Sequence, residues 1–429
     1  MSSNGIQYGN LHTAPLALSI HKLLPLAALY FFLNSAGLPV GLFYTSIFSP
    51  LLFLWLYIEG KRWLTLKFLM CLLPFIVAHI LLGIESRFYY ARSSLLLWTV
   101  YVTVYAFCWA LLKCKNLDRL FEQLIVLNFC AAMAALVLLP TPFSERLWRD
   151  DPNAVDAIEG AGRVLRLQLL TLEPSAYACL MAPLLIFAVL RLFHNPGKRN
   201  FIYAAMITIP LLLSQSFGGL SICAAGLGVA LLATFRRLHR QRNLLLTLGP
   251  AVILIAGLLI VPNPISLRIV HVVMGTDSST HSRTDTAFIL AYTVAEPKSL
   301  WWGVGLGQVK LNDVSSLGLR DAIIQNSIAD TFASLGIIAV LVKFVLELYL
   351  FFRTRVYTNA FRLAMFVTAF LYQFTGSSLM NVQEYLLWCL AFAPFFPTLN
   401  LQNGVPSKVS LSGSLQESKT GPQSLLPSE

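Results

Sequence analysis

The sequence predicts an all-α polytopic integral membrane protein with about twelve transmembrane helices, and three observations carry that expectation. Of its 429 residues, 57% are hydrophobic and 12% charged, whereas a soluble domain carries about a quarter charged residues. Apolar runs near the roughly 20 residues that a membrane span needs recur along the whole chain. The connections between these runs alternate in charge, as they do when a chain threads repeatedly across a bilayer.

Helices are expected at 16–36, 40–58, 64–84, 94–112, 119–139, 168–190, 200–214, 217–234, 244–262, 327–352, 360–378 and 383–399. The connections 59–67, 113–119, 191–199, 236–242 and 353–362 hold sixteen Lys and Arg residues against two acids, Glu59 and Asp118. "RRLHRQR" at 236–242 is the densest of them. The loops 141–167 and 263–326 are long and balanced, with four basic residues against five acids and five against five. The positive-inside rule then places the basic connections and both termini in the cytoplasm and the two long loops outside. The net charge of +11 is thereby assigned to topology, and no nucleic-acid partner is expected.

The polar N-terminus is not followed by a short apolar core and a small-residue cleavage site, so no cleavable signal peptide is expected. The seven cysteines avoid the long loops and lack zinc-ligand spacing, which argues against a disulfide framework there and against a zinc site. The Ser-, Gly- and Pro-rich stretch 400–429 has the composition of a disordered cytoplasmic tail. Residues 1–399 are read as one membrane-embedded domain.

Long connections in a compact helical protein tend to be functional, which draws attention to the outer face. "RVLRLQLLTLEPSAYACLMAP" at 163–183 places Arg163 and Arg166 before an apolar run and Glu173 inside it. If the helix starts early, Arg166 and Glu173 are about two turns apart and share a face. Intramembrane charges of this kind are functional-site candidates; the plainer reading is a structural ion pair.

In the second long loop, "HSRTDTAF" at 281–288 brings together His281 and Arg283. The glycines of "EPKSLWWGVGLGQ" at 296–308 resemble a phosphate-cradling loop only superficially. Trp301 and Trp302 suit a membrane interface better than a sugar contact. His271 and His281 are the histidines of the two long loops, and a lone loop histidine is usually solvated. "QNSIADTFASLG" at 325–336 opens a helix for which Asn326 or Ser327 is the expected cap; Asp330 then lies in its first turns. Asp150–Asp151 is an isolated acidic doublet, so the site is expected to be metal-free, with arginines supplying positive charge.

The order and placement of these motifs resemble bacterial O-antigen and exopolysaccharide polymerases of the Wzy type and the related O-antigen ligases, most clearly over about 160 to 352. Arg166 with "EPS" at 173–175 is similar to the family's Arg-then-Glu-Pro element. "SQSFGG" at 214–219 is similar to its small-polar turn, with Phe217 where many members have Arg. Arg283 ahead of a Pro and a Gly-x-Gly, and "QNSIADTFASLG", complete the set. Gln325 stands where the family has a histidine, which in the ligases is implicated in activating the acceptor.

The resemblance implies a glycosyltransferase without a cofactor. Its donor would be an undecaprenyl-diphosphate-linked oligosaccharide at the outer face of the bacterial inner membrane, and its acceptor the growing polysaccharide chain. Membrane lipids, chain-length regulators and export proteins are the further expected partners. Catalysis would fall to Arg166, Glu173 and Arg283, with Arg163, His281, Gln325 and Asn326 binding the donor. Gln325 cannot act as a base, which favours polymerase over ligase and leaves Glu173 and His281 as candidate bases. The competing class is a lipid-linked oligosaccharide flippase or polysaccharide exporter.

Overall fold

The computed structural model describes residues 20–33, 44–150, 165–235, 274, 281, 283–312 and 324–401. The expected helix 244–262, the basic run 236–242, Arg163, His271, the chain before residue 20 and the tail beyond 401 lie outside the described residues.

The described chain is mostly helical. In order it forms α1 (Ile20–Ala28, continuing as a π-helical turn Leu29–Leu33), α2 (Tyr44–Ile58), α3 (Arg62–Leu81), α4 (Arg87–Leu112) and α5 (Leu117–Val137). A one-turn α6 (Ser144–Leu147) leads into β1 (Trp148–Asp150), which pairs antiparallel with β2 (Leu165–Leu167). There follow α7 (Pro174–His194), α8 (Lys198–Leu213), α9 (Phe217–Phe235), α10 (Asp285–Ala295), α11 (Ser327–Arg353), α12 (Ala360–Thr375) and α13 (Val382–Phe392). Among the described residues, five helices are long and apolar enough to cross a membrane: α4, α5, α7, α9 and α11.

Side-chain caps set several of the helix starts. Asn116, Asn326, Asn359 and Asn381 each accept a hydrogen bond from a backbone N–H of the first turn, satisfying donors that the helix itself leaves open. α7 is the central helix. Both its flanks are buried, and Tyr177, Ala178, Met181, Leu184 and Ile186 have no exposed surface. It packs against α8, α9, α12 and α13. Outer helices instead expose large apolar side chains, such as Met70, Leu81, Val137 and Val345. Water would penalise that much contiguous apolar surface, and lipid would not.

Cys108 of α4 and Cys389 of α13 form a disulfide within the bundle. Glu122 of α5 is buried between Arg191 at 2.5 Å and Arg199 at 2.6 Å.

Several elements depart from the sequence expectation. The helix expected over 168–190 starts at Pro174, because proline has no N–H to donate and its fixed φ suits a first helical position. The second long loop is not all loop: α10 lies within it and buries Ala287, Leu290, Ala291 and Val294. The last two helices end at Thr375 and Phe392, short of the expected 378 and 399.

The largest departure is in α11, which breaks at Gly336, where φ is 78° and ψ 178°. Lys343 Nζ donates to Ser327 Oγ at 3.0 Å although the two are 16 residues apart. A straight helix would separate them by about 24 Å, beyond the combined reach of the two side chains. The chain therefore folds back at Gly336. A Cβ there would overlap the backbone of Trp301 and Trp302, so only glycine lets the two segments meet.

Candidate functional site

The site gathers where α7 and α11 begin and α12 ends. Glu173 is the residue before α7, in extended conformation, so its carboxylate projects from the helix start rather than from a helical face. Its two ion-pair partners among the described residues are Arg149 of β1 and Arg283, each at 3.8 Å and each on a different carboxylate oxygen. Ser175 Oγ donates to Glu173 Oε2 at 3.0 Å.

Arg283 spreads its three guanidinium nitrogens over three segments. Nε donates to Gln325 Oε1 at 3.3 Å, Nη1 to the Thr375 carbonyl at 3.4 Å, and Nη2 faces Glu173. Asn326 fixes this arrangement from behind. Its amide nitrogen donates to the carbonyls of Arg283 and Phe374 at 3.0 and 2.9 Å, while its oxygen caps α11 at Ile328 and Ala329. All four hydrogen-bonding positions of the asparagine are then in use, and it has no exposed surface. Asn326 holds Arg283 in place and leaves nothing for a ligand.

Around Arg283 and Glu173 a pocket of about 260 Å³ opens, closed on its other side by Tyr372, Gly376, Ser377, Ser378, Asn381 and Gln383. The turn between α12 and α13 supplies most of this wall. Asn381 donates to the Tyr372 hydroxyl at 3.0 Å, which in turn donates to Gln383 Oε1 at 2.9 Å. Beneath it, Ser377 Oγ donates to Glu384 Oε2 at 2.6 Å, and Lys343 Nζ donates to Glu384 Oε1 at 2.6 Å. Asp330, in the first turn of α11, accepts from the Leu379 N–H at 2.9 Å, which ties the turn to α11.

A second, apolar cavity of about 450 Å³ lies between α3, α4, α11 and α13, with Phe68, Phe75, Leu97, Val104, Leu346 and Phe392 among its walls. Lys343 and Glu384 line it. Since Ser377 lines the polar pocket, the Ser377–Glu384–Lys343 chain forms a wall common to both cavities.

Of the residues expected to form a site, the structure brings Glu173, Arg283 and Gln325 into one pocket. Arg166 takes another place: it sits on β2 opposite Arg149 and donates to the Ser214 carbonyl at 3.3 Å, so it does not share a helical face with Glu173. His281 is exposed and pairs with Asp285 at 3.2 Å; it does not line the pocket. Neither Trp301 nor Trp302 lines it.

Compared with protein-family models and with curated proteins, the chain matches none.

The small-polar turn at 214–219 serves helix packing, since a Cβ on Gly219 would run into Ala178 of α7. Arg149 and the turn 376–383 escaped the sequence reading. The polar run "TGSSLMNVQE" at 375–384 between two apolar helices was the available signal for the turn. Arg149 carries no such signal, because it joins the site only through a short hairpin.

Proposed function

We propose that this chain polymerises lipid-linked oligosaccharide repeat units at the outer face of the bacterial inner membrane. In this reading it is a multi-pass protein with cytoplasmic termini. It transfers a glycan from undecaprenyl diphosphate to a hydroxyl of an acceptor sugar. The observation that carries the reading is the convergence of Arg283, Glu173 and Gln325 in one pocket whose remaining lining is rich in hydroxyl and amide groups. Such a lining suits a sugar, which offers many hydroxyls and little charge. The adjoining apolar cavity supports a donor with a lipid part.

In the transfer, the bond between the anomeric carbon and the diphosphate oxygen breaks and the acceptor oxygen bonds to that carbon. Arg283 would meet the negative charge growing on the departing diphosphate. Its nitrogens are already oriented by Gln325 and Thr375, so little reorganisation is needed as charge develops. Glu173 is suited to take the acceptor's proton, and its two carboxylate oxygens face Arg149 and Arg283. Arg149, more than half exposed, is placed to widen the anion-binding surface at the mouth.

One observation favours transport instead. α11 is broken, and Lys343 and Glu347 on its second segment face an apolar cavity with Glu384; interrupted helices and intramembrane charges are common in transporters. The polysaccharide of a strain lacking the gene separates the two. Loss of long chains with single repeats retained at the outer leaflet supports polymerase. Repeats stranded at the cytoplasmic leaflet would overturn it in favour of a flippase.

A further inference from the structure

Two serines in the pocket have their hydrogens already committed. Ser377 Oγ donates to Glu384 Oε2 at 2.6 Å; its other neighbour, the Ser378 carbonyl at 3.4 Å, is also an acceptor. Ser175 Oγ likewise donates to Glu173 Oε2 at 3.0 Å. An ionised carboxylate can only accept, and a hydroxyl has one hydrogen and two lone pairs. Each serine therefore points its hydrogen at the carboxylate and keeps its lone pairs for something else. Among the described residues no donor reaches Ser377 Oγ, although Ser377 is 98% buried.

Glu384 is fixed in its accepting role. Lys343 donates to its other oxygen at 2.6 Å, and Trp388 Nε1 approaches that oxygen at 3.4 Å. Lys343 is itself anchored by Ser327 Oγ at 3.0 Å. The ion pair has 17% of the lysine and 1% of the glutamate exposed, which keeps water from competing for the serine.

We propose that Ser377, oriented by the Glu384–Lys343 pair, is a specificity residue that reads a donor hydroxyl on the bound ligand, with Ser175 providing a second such acceptor. The proposal rests on the sugar-site reading and sharpens it. The pocket takes a polyol that offers O–H groups to the two serines and receives N–H groups from Arg283. A ligand presenting only acceptors at the Ser377 position meets lone pairs and is refused.

The test uses full-length protein in nanodiscs and saturation-transfer NMR with methyl pyranosides of glucose, galactose, mannose and N-acetylglucosamine. Each is paired with analogues in which one hydroxyl is replaced by fluorine, which cannot donate. For one hydroxyl position the fluorinated analogue should bind about tenfold more weakly to the wild type. Ser377→Ala should bind the parent sugar about as weakly as the wild type binds that analogue, and should lose the discrimination. Ser377→Thr, which keeps the hydroxyl, should retain it. Glu384→Gln frees the serine's hydrogen and should shrink the discrimination; Ser377→Ala keeps the test decisive if Glu384→Gln fails to fold. Sugar binding with equal discrimination in wild type and Ser377→Ala would overturn this inference alone. Absence of binding by every pyranoside would overturn the sugar-site reading and the inference with it.

Discussion

Arg283→Lys is the most informative single change, because lysine keeps the charge and loses the shape. In the structure three nitrogens of Arg283 reach three different segments: Gln325, the Thr375 carbonyl and Glu173. One ammonium on a flexible stem cannot hold all three. The two hydrogen bonds are long, and the ion pair at 3.8 Å has a glutamate 40% exposed, so solvent screening leaves it little value. Removing the guanidinium altogether, as in Arg283→Ala, should therefore cost about 1–3 kcal/mol of stability. Its effect on turnover should be larger, about 10²–10³ in kcat, the scale of losing one preorganised donor at a site of developing charge. Lysine should recover part of this and remain about 10–100-fold slow. The assay is chain lengthening by purified variants, with a thermal melt in the same detergent. Wild-type turnover with lysine would refute the forked role of Arg283. A melt lowered in proportion to the lost activity would refute its catalytic role altogether.

Three further outcomes follow from the geometry. Gly336→Ala should destabilise by about 2–5 kcal/mol, from a glycine-only conformation and overlap with the Trp301–Trp302 backbone; Gly228→Ala, with open space at its Cβ, should stay within about 1 kcal/mol of wild type in the same melt. Glu173→Gln should abolish lengthening while shifting stability by less than about 1 kcal/mol, since its pairs are long and partly exposed; a collapse in protein level would instead mark it as structural. Asn326→Ala should cost about 2–4 kcal/mol through the lost cap and two unserved carbonyls, and should reduce activity through Arg283; unchanged activity in a melted-down variant would contradict that coupling.

Much of the helical layout was legible because apolar runs and basic connections are long, redundant signals. The start of α11 could be read directly, with Asn326 or Ser327 as its cap, since an asparagine before an apolar run has a defined job; α5 begins at Leu117, capped by Asn116, two residues ahead of the expected 119. Convergence of Glu173, Arg283 and Gln325 was also within reach. The fold-back at Gly336 was not, because its cause lies in a backbone contact with Trp301 and Trp302 more than thirty positions away. Arg166 was misplaced for a related reason. Its strand spans Leu165–Leu167, too short to show periodicity, so the apolar residues after it read as a continuous helix. Lys343, Glu347 and Glu384 stood out as charges in apolar runs and could have been singled out; their relation to Ser377 required the packing of α11 against α13.

The most direct measurement reconstitutes the purified protein in liposomes with undecaprenyl-diphosphate-linked repeat units and follows both products together. A polymerase gives a ladder of lengthened glycans, with one undecaprenyl diphosphate released for each new glycosidic bond; both products should form about 10²–10³-fold more slowly with Arg283→Ala and be absent with Glu173→Gln. Movement of the repeat units across the bilayer with no new bond and no released diphosphate would contradict the polymerase reading.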